Sequence, residues 1–398
     1  MHASRVLLTD ANERATLAAA RSLVSAGYEV HVVGPSRLSL AGASRSVRSH
    51  AVTQNALEDP EEFAAAVGRL AERIGAAVLL PITDQSVEAV LQHRSRLPAD
   101  MRIPLPDLAI YRTASHKATL LQLAEVAGFA VPPSLIVPSA GDPLPAVPDS
   151  WFPAVLKPHR SVVVDGGRRR KVGVAFVDRA DRLAEALRGF PGGAFPILVQ
   201  QRVEGTGEGF FALRWDGRRI AAFAHRRLRE KPPAGGVSVY RESVELDPEL
   251  ARAGWRLLEA LQWRGVVMIE CKRDARTGRL VVIEINGRFW GSLQLAIDAG
   301  VDFPTLLVRC ALGEQVSEQN AYRTGIRSRW FWGDVDHLYL RLRRSAAELH
   351  LDRQAPSRLQ ALARFLSFRP GQDRWEVWRL RDPGPSLVEA LSRLGMLH

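Results

Sequence analysis

The sequence predicts an α/β protein, in which a Rossmann-like N-terminal domain precedes an α+β domain and a helical C-terminal extension. Strand and helix patterns alternate with short loops over residues 5–110, as they do in doubly wound parallel sheets. From residue 205 onward, apolar strands follow one another around glycine-containing turns, as in antiparallel hairpins. A chain of 398 residues has room for two or three domains.

The N-terminal domain, predicted over residues 1–112, consists of three strand–helix pairs. The predicted strands are "RVLLTD", "YEVHVVGP" and "AAVLLPIT", and the predicted helices are "ERATLAAARSLVSAG", "PEEFAAAVGRLAERIG" and "DQSVEAVLQHRSRL". The first strand–helix turn, "TDANERAT", lacks the glycines that allow a backbone to approach a pyrophosphate. We therefore expect a Rossmann-like topology that does not bind a dinucleotide.

The second domain is predicted over residues 113–312. It begins with a helix over residues 113–131, for which Ser115 is the expected N-cap and Gly128 the expected C-cap. The strand "PAVLKP", two strand-like runs around the tip "DGGRRRK", a helix and the strand "FPILVQQRV" follow. Two hairpins come next, one turning at "WDG" and the other at "DARTG". From residue 331 onward the chain is predicted to be helical.

The charge balance, formally +11 at pH 7, would by itself suggest a nucleic-acid partner. The excess is nearly all arginine, however, and the arginines are spread over every segment instead of forming one basic arm. The sequence contains neither zinc-finger spacing nor an RNA-binding aromatic motif. A nucleic-acid partner is therefore not favoured.

The two cysteines, Cys271 and Cys310, have neither disulfide-framework nor metal-ligand spacing, so we expect two buried thiols. No apolar run approaches the roughly 18–20 residues that a membrane span needs. The N-terminus lacks the apolar segment of a signal peptide. These observations predict a cytoplasmic protein with no membrane partner.

The stretch "GVVMIECKRDARTGRLVVIEINGR" places acids inside an apolar hairpin. Glu270 and Glu284 are equidistant from Thr277, so a hairpin centred there would pair them across the two strands. Because side chains alternate faces along a strand, Asn286 lies on the same face as Glu284. Two carboxylates and one amide oxygen are therefore expected to converge on one patch.

Two facing carboxylates repel each other unless a cation lies between them. Hard oxygen ligands suit Mg²⁺ or Mn²⁺, and Mg²⁺ commonly joins a few carboxylates to substrate phosphates. Solvated acids on an outer hairpin face are the alternative interpretation. The expected pairing and the Gly-Arg that follows favour a metal site formed by Glu270, Glu284 and Asn286.

This hairpin resembles the metal-binding hairpin of the ATP-grasp ligases. Its Glu-x-Asn-x-Arg pattern is most similar to those of biotin carboxylase and the carbamoyl-phosphate synthetase large subunit. The resemblance covers roughly residues 5–310 and implies a pre-ATP-grasp domain followed by a small lobe, 113–196, and a large lobe, 197–312. The C-terminal extension, 313–398, matches only loosely, as in predicted ATP-dependent carboligases of unassigned substrate.

The resemblance also implies the ATP-binding residues. Two lysines of the small lobe, Lys117 and Lys157, would hold the phosphates. Most basic residues of this chain are arginines, yet both of these positions hold lysine. A lysine there is consistent with a need for a compact ammonium group. The tip "DGGRRRK" stands where the family has a glycine-rich phosphate flap, although three arginines are unusual there. The residues expected at adenine and ribose are Gln200, Gln201, Val203 and Glu208.

On the substrate side, the resemblance assigns Arg288 to the γ-phosphate or to the carboxyl substrate. A guanidinium suits this task because its planar fork matches carboxylate or phosphate oxygens. The segment "AHRRLREKPPAGGVSVY" matches a loop that closes over the acceptor side. The candidate substrate residues in it are His225, Arg226, Arg229, Gly235 and Gly236.

The implied reaction is an ATP- and Mg²⁺-dependent ligation of the carbon–nitrogen type. A carboxylate would be activated as an acyl phosphate and attacked by an amine or another nucleophile, with release of ADP and phosphate. Carboxylation through carboxyphosphate is an alternative, although no biotin-carrier segment is seen; a non-catalytic nucleotide-binding or nucleic-acid-binding protein is another. The partners would be small molecules, and analogy with resembling proteins allows a homodimer.

Overall fold

The computed structural model describes residues 4–352 and 355–396. Its first part is a parallel sheet in the order β3-β2-β1-β4, which confirms the Rossmann-like prediction. The sheet is covered on both faces, because Val6 and Leu8 pack with one apolar cluster while Leu7 packs with another. The elements are β1 (Arg5–Leu8), α1 (Arg14–Ser25), β2 (Glu29–Gly34), β3 (Ser49–Val52), α2 (Pro60–Ile74), β4 (Val78–Leu80) and α3 (Asp84–Gln92).

Capping residues define the ends of these helices. Asp59 accepts a hydrogen bond from a backbone N–H in the first turn of α2, and Gly75 ends that helix with a left-handed φ of 63°. Thr83 and Ser86 form a capping box at the start of α3. This box fixes the position of Asp84, the first residue of α3.

The predicted helix over residues 113–131 is in fact two helices that meet at His116. The His116 side chain caps the second helix, while Ser115 ends the first, so Ser115 is not an N-cap. Gly128 is the C-cap, with a φ of 104°, as predicted. The helices are α4 (Leu108–Ser115) and α5 (Lys117–Ala127).

An antiparallel sheet in the order β5-β10-β6-β9 follows, with a separate β7-β8 hairpin beside it. The hairpin turns at Gly166 and Gly167, which both have positive φ. Leu156 and Val199 are paired on adjacent strands of this sheet, and both are fully buried in its apolar core. The elements are β5 (Ser134–Val137), β6 (Ala154–Pro158), β7 (Val162–Asp165), β8 (Arg168–Lys171), β9 (Ala175–Val177), α6 (Leu183–Arg188) and β10 (Ile197–Gln201).

The largest sheet has seven strands in the order β15-β14-β11-β12-β13-β16-β17. Phe211 on this sheet belongs to the same apolar cluster as Leu17 of α1, so the first and last parts of the fold share a core. The elements up to residue 311 are β11 (Gly205–Trp215), β12 (Arg218–Lys231), β13 (Val237–Ser243), α7 (Pro248–Ala260), β14 (Gly265–Asp274), β15 (Leu280–Asn286), α8 (Leu293–Ala299) and α9 (Phe303–Ala311).

The helices predicted for the last part of the chain are present, together with two short strands that were not predicted. It contains β16 (Arg327–Arg329), α10 (Phe331–Arg343), α11 (Arg358–Leu366), β17 (Asp373–Trp375) and α12 (Gly384–Arg393). β16 and β17 extend the largest sheet, which a helical pattern could not reveal because both strands are three residues long. The domain boundaries at residues 112, 196 and 312 stay predictions. Among the described residues, no helix has the length and apolarity needed to cross a bilayer.

Candidate active site

The hairpin β14–β15 pairs Glu270 with Glu284, as its sequence predicted. The pairing depends on a β-bulge, since Cys271 pairs with Val282 and the register then shifts by one residue. Ile283 is the extra residue of the bulge. Without it, the two carboxylates would not lie opposite each other.

These carboxylates line a cavity of about 380 Å³ between the large sheet and the smaller antiparallel sheet. The cavity brings together most of the residues that the sequence proposed for ATP, metal and substrate. The predicted residues that line it are Lys157, Gln200, Gln201, Val203, His225, Gly235, Gly236, Glu270, Glu284, Asn286 and Arg288.

Lys117 lines a smaller neighbouring cavity of about 40 Å³. Glu284 and Asn286 also line this cavity, so the two spaces share a wall. Lys117 is the first residue of α5, and its backbone N–H donates to the carbonyl of His159 at 3.1 Å. The structure therefore places both predicted phosphate lysines around the paired carboxylates.

Both lysines are buried, with about 8% of each residue exposed. Burial lowers the pKa of Lys157 to about 8; nearby Lys117 acts in the same direction, while Glu284 opposes it. Burial likewise lowers the pKa of Lys117, against the attraction of Glu284 and Asp84. Neither ammonium makes an ion pair with a described side chain, so both are available to an anion.

Three acids line the cavity, and among the described residues only Arg227 forms an ion pair with any of them, namely with Glu270 and Glu230. The Arg227 guanidinium lies 2.5 Å from a Glu270 oxygen. Burial nevertheless raises the pKa of Glu270, and the negative charge of the facing Glu284 raises it further. Asn286 donates to Glu284 at 3.3 Å, which fixes the amide beside the second carboxylate.

This donor set fits Mg²⁺ chemically. Two half-buried carboxylates face each other across the hairpin, with an amide oxygen on the same face, and these are the hard ligands that Mg²⁺ prefers. The described residues contain no group of three or more histidine, cysteine, aspartate or glutamate side chains able to hold a metal. Two protein carboxylates suit an ion that takes its remaining ligands from phosphates and water.

Arg288 is held by a residue that the sequence did not single out. Its Nε and Nη2 donate to the two carboxylate oxygens of Asp84 at 2.9 and 2.8 Å. Burial alone would lower the pKa of Arg288, but Asp84 outweighs it and the net shift is upward. Tyr111 also donates to Asp84, at 2.8 Å. The N-terminal domain thus fixes an arginine at the end of the cavity.

Three of the four residues that the resemblance implied for adenine and ribose, Gln200, Gln201 and Val203, line the cavity at and just after β10. Gln200 is buried, donates to Ser134 at 2.8 Å, and has a side-chain oxygen without a partner. Lys272, which the sequence reading did not propose, lines the cavity and donates to the carbonyl of Val203 at 3.1 Å. The free oxygen of Gln200 can accept a hydrogen bond from a ligand or from water.

Glu208 does not reach this cavity. It pairs with Cys271, one residue after Glu270, and so it points to the other face of the sheet. There its carboxylate accepts from Arg273 at 2.8 and 3.0 Å. The ribose assignment of Glu208 is therefore not supported by its position.

Two of the substrate candidates do not line the cavity. Alternation turns Arg226 away from it, and Arg226 donates to Glu242. Arg229 would share the face of His225 by alternation, but the register shift after Arg227 reverses it, and Arg229 pairs with Asp334. Arg227, on the same face as His225, lines the cavity instead. Its position two residues after His225 on a strand was the signal that could have identified it.

Two buried side chains at the arginine end of the cavity have no hydrogen-bond partner. His225 is 1% exposed, and neither of its ring nitrogens is bonded. Burial lowers the pKa of His225 well below its usual value, with Arg227 adding to the shift, so the ring is neutral at pH 7. The indole N–H of Trp290 is equally unpaired, and both rings pack on Phe211. A polar substrate would satisfy these groups.

The arginine-rich tip of the β7–β8 hairpin contacts α3. Arg169 donates to Gln92 at 3.1 Å and lies 3.7 Å from a carboxylate oxygen of Glu88. Arg170 lies 3.7 Å from Asp165 within the hairpin itself. Two of the three arginines thus bind protein groups, and a contact of this tip with phosphate stays a prediction.

Gly287, between Asn286 and Arg288, is required by packing. A Cβ there would lie 2.4 Å from the buried ring of Trp263 and 3.1 Å from that of Tyr111. We expect Gly287→Ala to lower the free energy of unfolding by about 1–3 kcal/mol, as overpacking does. Denaturant unfolding would measure it, with Gly173→Ala, which meets nothing within 4 Å, as the control. Equal stability of the two variants would contradict this packing account.

Residues 195–333 match the model of a family described as "ATP-grasp in the biosynthetic pathway with Ter operon". The match covers the largest sheet up to β16 and therefore includes both paired carboxylates. No curated protein matches the sequence.

Solved structures share the fold over most of the chain. An L-amino acid ligase from Bacillus licheniformis aligns with a TM-score of 0.60 and 16% identity, covering 79% of this chain and 76% of that one. An N5-carboxyaminoimidazole synthetase from Staphylococcus aureus gives 0.60 and 16%, covering 81% and 80%. A biotin carboxylase from Campylobacter jejuni gives 0.60 and 16%, covering 81% and 74%.

These similarities define the fold of the protein. The chain has the fold of the ATP-grasp ligases with which it aligns, with the Rossmann-like domain and two further sheets. Within this fold, residues 195–333 are similar to the ATP-grasp family whose description names the Ter operon.

Proposed function

We propose that this protein is an ATP- and Mg²⁺-dependent ligase that activates a substrate carboxylate as an acyl phosphate. One observation carries the proposal: two buried lysines without ion-pair partners surround a pair of facing carboxylates at one cavity. This arrangement suits a triphosphate, because the ammonium groups neutralise phosphate oxygens while the acids hold a divalent cation. The ATP-grasp family match supports the same chemistry.

Each end of the cavity has its own task in this proposal. The segment from Gln200 to Val203 binds adenine, and Lys117 and Lys157 hold the phosphates. Glu270, Glu284 and Asn286 hold the Mg²⁺, which when bound supplies charge neutralisation at the phosphates. Arg288, fixed by Asp84, faces the reacting oxygens at the other end.

The proposed reaction has two steps. A substrate carboxylate oxygen attacks the γ-phosphorus of ATP, the bond to the β-phosphate oxygen breaks, and ADP leaves. The nitrogen of an amine then attacks the acyl carbon, phosphate leaves with the former carboxylate oxygen, and the nitrogen loses a proton. The protein's contribution is positioning and electrostatic stabilisation.

The substrate carboxylate is proposed to lie beside Arg288, with its polar substituents toward His225 and Trp290. Both side chains are buried at this end without a hydrogen-bond partner, and an unbonded buried polar group is costly. Neutral His225 offers one donor and one acceptor, while the indole offers only a donor. A cytoplasmic location and a homodimer remain predictions.

Trapping with hydroxylamine tests the proposal. Hydroxylamine attacks an acyl phosphate to give a stable hydroxamate, so a screen of carboxylates with Mg-ATP and hydroxylamine needs no knowledge of the natural amine. We expect one class of carboxylate to give hydroxamate and ADP in equal amounts. ADP release that depends on bicarbonate alone would support carboxylation through carboxyphosphate instead.

The lowered pKa of Lys157 predicts how ATP binding depends on pH. Its pKa is about 8 in the free protein, and bound phosphates favour the ammonium, so the pKa in the complex is higher. Below pH 8 the contribution of the lysine is fully present. Above pH 8 binding must take up a proton, and Kd should rise by up to about tenfold per pH unit. Calorimetry from pH 7 to 9.5 would measure this rise.

Lys157→Arg is the matched variant for this prediction, because arginine remains charged throughout that range. Its Kd for ATP should be nearly flat above pH 8. A wild-type Kd that falls with increasing pH, or a variant that keeps the wild-type slope, would contradict the role of Lys157.

A further inference from the structure

Helix α11 directs its apolar stripe away from the protein. Leu359, Leu362 and Leu366 follow the i, i+3, i+7 spacing of one helix face and are exposed, the first by 80% and the last by 71%. The helix is anchored through its other face, where Ala361 is buried and Phe365 lies under the Arg329 guanidinium at 4.4 Å. This orientation is the reverse of that in an ordinary surface helix.

Helix α12 has the same orientation. Leu387, Leu391 and Leu394 are spaced by four and three residues along one face, and all three are exposed. The helix is held by buried Pro385 and by Glu389, which accepts from the indole of Trp330 at 2.6 Å. Two helices therefore present leucine stripes that no other described part of the chain covers.

An aromatic cleft of about 300 Å³ lies beside α12. Phe368, just after α11, stacks on Trp375 with ring centroids 5.8 Å apart, and Trp375 contacts Phe331 at 5.8 Å. Trp375 and Phe331 line the cleft together with Ser386 of α12. We call the exposed apolar residues of this region the C-terminal surface: Leu359, Leu362, Leu366, Phe368, Trp378, Leu380, Leu387, Leu391, Leu394 and Met396.

Within residues 357–396, all of which the structure describes, the exposed charged side chains without an ion pair are all positive. The four acids turn inward: Asp373 accepts from Tyr240, Glu376 and Asp382 each pair with arginines, and Glu389 binds Trp330. The arginines that are exposed here without an ion pair are Arg358, Arg364, Arg369 and Arg381. The C-terminal surface is therefore apolar and cationic, with no exposed acid.

We propose that the C-terminal surface docks on an anionic lipid bilayer. Leucine and aromatic side chains with arginines around them are the composition of helices that lie in a bilayer interface. A second copy of the chain fits less well, because a two-fold interface pairs a surface with itself and would bring arginines against arginines. Anionic headgroups match both the apolar and the cationic character. In this proposal the surface lies at the headgroup level, a membrane contact that the sequence did not predict.

Co-sedimentation of the full chain with lipid vesicles tests this proposal. Vesicles of phosphatidylcholine alone are compared with vesicles that also contain phosphatidylglycerol, at low and high salt. We expect binding to the anionic vesicles that weakens as salt increases. Replacing Leu359, Leu366, Leu387 and Leu394 together by serine should reduce it by at least about tenfold. Each of Arg364→Gln and Arg369→Gln should reduce it by about fivefold.

Val126→Ser is the matched control, since Val126 is 87% exposed on α5, outside the C-terminal surface, and its binding should equal that of wild type. Light scattering on the same proteins gives the oligomeric state. Absence of vesicle binding would overturn the proposal. A dimer that the four serines dissociate would overturn it in favour of a second copy. Neither result depends on ligase activity.

Discussion

Replacing Glu284 by glutamine should reduce ADP release by at least about a hundredfold while the protein stays folded. Glutamine keeps the size of the side chain and its place in β15, but it removes one of the two facing carboxylates. Because Glu284 lies beside both buried lysines and forms a wall of both cavities, no neighbouring group replaces its charge. ADP release and the melting temperature measure the two parts of this expectation.

Glu208→Gln is the matched control for this substitution. Glu208 lies on the adjacent strand but faces the other side of the sheet, where it binds Arg273. Its replacement should leave ADP release close to wild type. Retained turnover in Glu284→Gln would refute the metal site, and a large loss in Glu208→Gln would restore the ribose role implied by resemblance.

Asp84→Asn should have the second largest effect, through Arg288. Asparagine has nearly the shape of aspartate but lacks its charge, so the guanidinium loses its bidentate partner. We expect the free energy of unfolding to fall by about 1.5–3 kcal/mol. If Arg288 acts on the reacting oxygens, kcat should fall by more than tenfold because a misplaced catalytic group is ineffective.

Tyr111→Phe separates stability from positioning. It removes one hydrogen bond to Asp84 and leaves the ion pair intact. The expected loss is about 1 kcal/mol of stability with little change in kcat. Equal changes in kcat for Tyr111→Phe and Asp84→Asn would indicate that the ion pair has only a structural role.

The pairing of Glu270 with Glu284 was predicted from local spacing, by centring the hairpin on Thr277, and alternation then places Asn286 with Glu284. The register beside the turn differs from that centre by one residue, and the bulge at Ile283, which the sequence did not indicate, restores the predicted pairing. Three of the four strands of the parallel N-terminal sheet could also be predicted, since they are rich in apolar residues and bounded by turn residues. β3 was missed because it reads Ser-His-Ala-Val and lacks an apolar run. These predictions use only neighbours in sequence.

The parts that could not be predicted depend on contacts between distant segments. Asp84 meets Arg288 across more than 200 residues, and nothing near either residue in the sequence indicates the pairing. Arg226 and Arg229 were proposed in place of Arg227 for another reason. The resemblance identified the strand but did not specify which of its side chains face the cavity. Strand β17 joins the sheet through only three residues.

Calorimetric titration of the wild-type chain with ATP, in the presence and absence of Mg²⁺, tests the central claim most directly. The paired carboxylates and the two buried lysines predict that ATP binds and that Mg²⁺ strengthens the binding in wild type. In Glu284→Gln the Mg²⁺ dependence should be lost. ATP binding in wild type that does not respond to Mg²⁺, or no ATP binding at all, would contradict the account.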